Sequence, residues 1–416
     1  MWPANFRPVG LPKADAATMI LVQCAACAAP LGLSSGKKCG RCSTRYCGPE
    51  CQKQHWEQGG HDKLCKPIKK AGGAEQYNAN KKYAEAVTVA AEACADDTKG
   101  QTCYICTQAL HWKTKEGLVR MCACRGTAGF AHVSCLAEQA KISVAEALEN
   151  NLDGERWSSR WGRWDTCSLC EQEYHGDVRC ALGWACWKTY VGLSERDGLR
   201  IPAMNVLGNG LDDARYYEDA LPVREAELAM KRRLGAGEDS ILVVQSNLAS
   251  TYQFLGRREE ALSLRRVVYS GRVNLVGEDH RSTLGAAVNY ASTLFALEHY
   301  AEARALLRQT IPAAQRVLGE NHEITLKMRK VYAQSLCCDP AATLDDLREA
   351  VTTLGDTARI ARRVLGGSHP FVVDIERSLR GLRAELRADL DAREELDPGD
   401  VTSIREAMEA MTPGDA

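Results

Sequence analysis

The stretch Met121–Cys135 reads MCACRGTAGFAHVSC and holds three cysteines and one histidine within fifteen residues. A glycine-rich run separates the Cys122/Cys124 pair from the His132/Cys135 pair. Such a set can be a catalytic metal centre, a structural metal knuckle or a patch of reduced thiols. The rest of the chain decides between them. Upstream lies Cys103-x2-Cys106 and downstream Cys167-x2-Cys170, so eight ligand-type residues form four pairs. Eight protein ligands suffice for two closed tetrahedral sites with no position left for water, which is the structural zinc arrangement.

A second set of eight precedes it. The pairs are Cys24-x2-Cys27, Cys39-x2-Cys42, Cys47-x3-Cys51 and His61-x3-Cys65. Residues three apart in such a knuckle turn both sulfurs toward one ion, and residues four apart share a helix face. The chain has 19 cysteines, 17 of them before residue 187. Their x2 and x spacing, with histidines between, reads as metal ligation in a reducing compartment, the cytoplasm or nucleus, and not as a secreted disulfide framework. The apolar stretch Ala16–Leu33 faintly imitates a signal peptide, but cleavage there would remove Cys24 and Cys27 from their partners. No run reaches the roughly 20 apolar residues a membrane span needs. A net charge of −1 gives no support to nucleic-acid binding.

The first set, with CQKQHW at Cys51–Trp56, resembles the MYND zinc finger at all eight ligand positions. The resemblance implies interleaved sites: Cys24, Cys27, Cys47 and Cys51 on one zinc, Cys39, Cys42, His61 and Cys65 on the other. It also implies that Gln52 and Trp56 border a groove for short proline-containing peptides; packing of Trp56 over the zinc core is the alternative. The second set, with CRGTAGFAHVSCL, resembles the RING-CH (RING-variant) finger. That implies alternation: Cys103, Cys106, His132 and Cys135 on one zinc, Cys122, Cys124, Cys167 and Cys170 on the other. A PHD finger uses the same ligand types. Against it stand the seven residues between Cys124 and His132, and Trp164 lying three residues before Cys167. Four zinc ions, two per finger, are the cofactors expected.

The RING-CH resemblance implies a ubiquitin ligase that positions a ubiquitin-loaded E2 enzyme and attacks nothing itself. Ile105, between the first two ligands, is the candidate E2 contact; shielding of the zinc is its alternative role. Two positions depart from the family pattern: Gln139 stands where a tryptophan is frequent, and Glu171 follows the last ligand where active domains often carry a basic residue. The competing reading is a non-catalytic adaptor. A SET-type methyltransferase lacks any matching cofactor-binding stretch here. In RWSSRWGRWD, Trp157, Trp161 and Trp164 fall at helical spacing beside Arg156, Arg160 and Arg163; this reads as a tryptophan core with arginines over it. Cys94, Cys180, Cys186, Cys337 and Cys338 read as buried thiols, and His175 has no pair spacing.

The second half repeats. LGAGEDSIL from Leu234, VGEDHRSTL from Val276, LGENHEITL from Leu318 and LGGSHPFVV from Leu365 recur at steps of 42, 42 and 47 residues. Ala249, Ala291 and Ala333 keep register, as do Ala261, Ala303 and Ala350. A period of this size means stacked helix pairs. The pattern resembles tetratricopeptide repeats of the kinesin-light-chain type, which implies a superhelical array with a peptide groove. Asn205, Asn247 and Asn289 are the candidate peptide contacts, with local interhelix bonding as the alternative.

The chain therefore reads as multidomain: two small zinc-stabilised cross-brace fingers, loop-rich and α+β, then an all-α TPR-like array. The expected boundaries are an N-terminal segment 1–23, a MYND-type finger 24–65, a helical linker 66–100, a RING-CH-type finger 101–190, repeats 199–390 and a polar tail 391–416.

Overall fold

The computed structural model describes residues 24–27, 29, 31, 36–194, 196–367 and 369–394. The N-terminal segment, most of the Ala16–Leu33 stretch and nearly all of the tail lie outside them. The chain forms two compact units that divide between Gly237 and Glu238.

The first unit opens with a short antiparallel ribbon, β1 (Lys37–Lys38) and β2 (Arg45–Tyr46). Helix α1 (Pro49–Glu57) follows, with proline in its first turn where no N–H partner is missed. Helix α2 (His61–Ala71) buries His61, Cys65 and Ile68, one face at i, i+4 and i+7. Helix α3 (Ala74–Ala93) occupies most of the expected linker, and its small stripe of Ala79, Val87 and Ala90 is buried. It packs on α6 (Gly176–Tyr190), which is apolar on all sides and central. Val87, Ala90 and Cys94 share one core with Leu118, Phe130, Leu136 and Cys167. The linker is thus a wall of the second cysteine-rich region.

Helix α4 (Val133–Glu149) starts one residue after His132. Helix α5 (Gly154–Trp161) passes into a 3-10 turn, Gly162–Trp164. Trp157 and Trp161 stack with centroids 6.1 Å apart, and the turn rotates Trp164 into full burial against Tyr190. Arg160 pairs with Glu146 and Arg163 donates to the Cys167 carbonyl. Helices α7 (Arg200–Asp213) and α8 (Tyr217–Arg233) complete the unit. A Cβ at Gly210 would sit 2.7 Å from the Arg179 carbonyl oxygen, so glycine permits the close approach of α7 to α6.

The second unit is a run of antiparallel neighbours: α9 (Glu238–Phe254), α10 (Arg258–Val276), α11 (Arg281–Ala296), α12 (Tyr300–Leu318), α13 (Glu323–Cys337), α14 (Leu344–Leu365) and α15 (Pro370–Glu394). The repeated LG-x-x-H phrase is a helix stop and a helix start. Gly277, Gly319 and Gly366 hold φ of 86°, 89° and 84° just past a helix end. His280, His322 and His369 then accept the N–H two residues on, at 3.2, 3.1 and 3.2 Å. Ala249, Ala261, Ala291, Ala303, Ala333 and Ala350 are all fully buried, where any larger side chain would push paired helices apart. Among the described residues no helix is long and apolar enough to cross a membrane.

Candidate metal centres

Each of the sixteen ligand candidates lies in one of four groups whose sulfur and nitrogen atoms are within 4.8 Å of one another. The groups are Cys24, Cys27, Cys47, Cys51; Cys39, Cys42, His61, Cys65; Cys103, Cys106, His132, Cys135; and Cys122, Cys124, Cys167, Cys170. Each finger is therefore interleaved, the first and third pairs meeting and the second and fourth meeting.

The donor set fits zinc in chemistry and in size. A tetrahedral ion with Zn–S near 2.3 Å and Zn–N near 2.0–2.1 Å needs S···S edges of about 3.8 Å and S···N edges of about 3.6 Å. The Cys27–Cys47, Cys124–Cys167 and Cys39–Cys65 sulfurs are 3.7, 3.8 and 4.0 Å apart. The Cys42 sulfur is 3.4 Å from His61 Nε2, and the Cys106 and Cys135 sulfurs are 3.4 and 3.7 Å from His132 Nδ1. The two histidines present different nitrogens. His132 Nε2 donates to the Ala109 carbonyl at 3.3 Å, which leaves Nδ1 bare toward the sulfurs and fixes the tautomer.

The thiols within each group are pulled in opposite directions. Burial works to raise Cys24, but the N–H groups of Cys27, Ala26 and Cys47 outweigh it and bring the thiol down to about 6. At Cys103 burial is likewise outweighed by backbone N–H groups, Ile105 and Cys106 reaching its sulfur at 3.4 and 3.5 Å. Others move the other way: burial, with Cys170 and Cys167 adding to it against Cys122, pushes Cys124 up to about 11. Four crowded sulfurs cannot all ionise without a counter-charge, which is what a divalent ion supplies.

The opening stretch is the crossing between two groups. Gly129 has φ of 84°, and a Cβ there would lie 2.6 Å from Cys124 Cβ and 2.9 Å from its sulfur. Arg120 braces the crossing, donating to the Gly126 carbonyl at 2.7 Å while its guanidinium covers the Phe130 ring.

Around the second finger, Ile105 is 38 % exposed and Leu169 is 51 % exposed. Each tips one C-x-x-C knuckle. Their neighbours form a triangle: Tyr104 Oη to Ser168 Oγ at 3.0 Å, Tyr104 Oη to Gln139 Oε1 at 3.3 Å, and Ser168 Oγ to Gln139 Oε1 at 3.3 Å. Gln139 thus ties the two knuckles together. Leu169 was not singled out from sequence, although CSLC repeats the pattern of CYIC. Glu171 is an exposed turn residue with φ of 56°.

In the first finger Gln52 and Trp56 stand one turn apart on α1. Trp56 both contacts the His61 ring at 5.7 Å and stays 40 % exposed. In the repeats, the Asn205 side chain is engaged locally with Glu227 and Asn209. Asn247 is half-buried and Asn289 exposed, and neither side chain has a hydrogen bond among the described residues. Cys94, Cys180 and Cys186 are buried thiols, and burial pushes Cys186 far up. Cys338, the C-cap of α13, is exposed and Cys337 is only half-buried, so neither is the buried thiol expected at this helix end.

Residues 24–65 match the MYND finger family and residues 103–148 the RING-variant domain. Residues 241–282 and 283–323 match the tetratricopeptide repeat. No curated protein matches the chain. Among solved structures, BtubC (BKLC) from P. vanneervenii is similar at 15% identity with a TM-score of 0.43, over 58% of this chain and 94% of that one. TPR-like repeats of kinesin-light-chain type from Podosopora anserina are similar at 18% identity with a TM-score of 0.39, over 56% and 97%. The chain combines segments similar to two zinc fingers and a helical repeat array, all of them protein-interaction modules.

Proposed function

We propose that the chain is a RING-type ubiquitin ligase whose E2 docking face is formed by Ile105 and Leu169. The observation that carries this reading is the pairing of two exposed apolar knuckle tips across the Tyr104–Ser168–Gln139 triangle. Exposed apolar side chains on rigid supports mark interfaces, and a few such anchors supply most of the binding free energy. Four zinc ions would hold these supports in place and take no part in bond-making. The reaction is attack of a substrate amine on the E2–ubiquitin thioester carbonyl: the new C–N bond forms, the C–S bond breaks, and the E2 thiol leaves. This chain contributes position only. Substrates would be gathered by the first finger at Gln52 and Trp56 and by the repeats at Asn247 and Asn289. Asn205, already bonded within its own helix pair, plays a packing part.

The test is ubiquitin discharge from a panel of charged E2 enzymes onto free lysine. Ile105→Ala and Leu169→Ala should each slow the responsive E2 about tenfold, the equivalent of about 1.4 kcal/mol of lost docking. Zinc content and circular dichroism should stay as in the wild type. Silence of the wild type with every E2 would leave the adaptor reading, which the acidic Glu171 after the last ligand favours: it places a negative charge where bound ubiquitin is ordinarily steadied by a positive one.

A further inference from the structure

Beside the second finger, the turn at 111–114, helix α4 and the end of α6 enclose an open groove of about 1090 Å³. Its apolar lining includes Trp112, Ile142 and Tyr83. Trp112 is 68 % exposed and Ile142 is 50 % exposed. The turn that carries Trp112 is closed. His111 Nδ1 accepts from Thr114 N and faces its Oγ1, at 3.1 and 2.8 Å. The Lys115 N–H donates to the His111 carbonyl at 2.9 Å, and the His111 N–H to the Glu116 carbonyl at 3.1 Å. The indole is therefore presented outward by a fixed support, so little ordering entropy remains to be lost on binding.

The charges in the groove do not balance. Glu138 is paired with Lys141 and Glu146 with Arg160. The nearby Glu116 carboxylate is taken by the N–H and hydroxyl of Ser134, at 2.7 and 2.9 Å. Lys188 has its ammonium 4.2 Å from the Tyr83 ring centroid and no carboxylate within ion-pair distance among the described residues. Burial pulls its pKa below the ordinary lysine value, with Glu116 opposing from farther away. Lys113, which also lines the groove, has no ion pair among the described residues. A half-buried cation on an aromatic ring, in a groove also lined by Trp112 and Ile142, is complementary to an anion carried by an apolar chain.

We propose that this groove binds a peptide segment of a partner protein that combines a large apolar side chain with aspartate or glutamate. The apolar side chain packs between Trp112 and Ile142, and the carboxylate pairs with Lys188. At about 1090 Å³ the groove exceeds the roughly 300–1,000 Å³ of small-molecule pockets, which suits a peptide segment better than a small molecule. Ile105 lines the same groove. The groove thus meets the E2 face of the preceding section at Ile105, so a segment held there borders that face. Peptide binding itself needs no E2, so it stands or fails independently of the ligase reading.

The experiment pans a random twelve-residue displayed peptide library on the zinc-loaded full chain with no E2 present. Recovered peptides are then measured by fluorescence anisotropy against the wild type, Trp112→Ala and Lys188→Glu, each checked for wild-type zinc content and circular dichroism. The expected result is enrichment of peptides pairing Leu, Ile, Phe or Trp with Asp or Glu, with affinity lost about tenfold or more in either variant. Lys188→Glu should in addition turn the selected preference toward lysine and arginine. Failure to enrich, or peptides that bind the wild type and both variants alike, overturns the proposal. So does a Trp112→Ala variant that loses E2 binding while no peptide is enriched, since the groove then belongs to the E2.

Discussion

Two glycines in the same loop separate backbone strain from steric conflict. Gly126 and Gly129 have φ of 62° and 84°. A Cβ on Gly126 meets nothing within 4 Å, whereas one on Gly129 meets the Cβ and sulfur of Cys124. Gly126→Ala should then cost only the positive-φ penalty, about 1 kcal/mol. Gly129→Ala adds overpacking against a zinc ligand and should cost about 2–4 kcal/mol in all. The second finger should yield its metal to a chelator sooner in Gly129→Ala than in Gly126→Ala; equal release rates would mean that Cys124 is free to move and is not a ligand. The ligands themselves could be read from spacing, because coordination chemistry fixes how far apart in sequence two donors to one ion can lie. Trp112 could not, and Leu169 only by analogy with Ile105, since CSLC repeats CYIC. An apolar residue in a loop has the same hydropathy whether it faces the core or solvent, and only the closed turn at His111 and the Tyr104–Ser168–Gln139 triangle reveal which.

At the scale of elements, α3 departs most from expectation. The sequence reads it as a helical linker over 66–100, because alanine-rich faces give weak periodicity and do not say how deeply they are buried. Ala79 and Ala90 are fully buried, and Tyr83 Oη lies 3.0 Å from Ser134 Oγ at the start of α4. A fragment beginning at residue 101 would expose Leu118, Phe130 and Leu136 where Val87 and Ala90 pack. With zinc supplied, a fragment of residues 74–237 should melt cooperatively, and one of residues 101–237 should show a broad transition and bind a hydrophobic dye. Equal cooperativity in the two would return α3 to the role of a linker. The tryptophan stripe does form one core, with Trp157 and Trp161 packed against the cluster that holds Trp164, but its backbone is not one helix. A continuous helix was assumed through Trp164, and the 3-10 turn after Trp161 shifts that side chain onto Tyr190. The repeats were the most legible elements, because their copies check one another: the last three copies stop a helix at a positive-φ glycine and restart the next with a histidine cap.

At the scale of the whole chain, the two units have different sources of stability. In the first, the four ligand groups sit within or beside the cores that also hold Tyr46, Phe130 and Trp164, so metal binding and folding are coupled there. In the second, the described residues contain no ligand group, and the core of Leu284, Leu307, Leu326, Leu354 and Ile375 with its buried alanines is built from helix packing alone. Structural zinc contributes on the order of 10 kcal/mol, more than a domain's usual net stability of about 5–15 kcal/mol can readily lose. A strong chelator should therefore abolish one calorimetric transition and leave another. The surviving transition should report residues from Glu238 onward, seen as retained amide protection in α11–α13 beside rapid exchange in α2, α4 and α6. Stepwise removal followed by elemental analysis should release four zinc ions per chain. If protection in α4 and α6 survived complete removal of zinc, the metal would be ornamental to that fold and the docking face at Ile105 and Leu169 would owe its shape to packing alone.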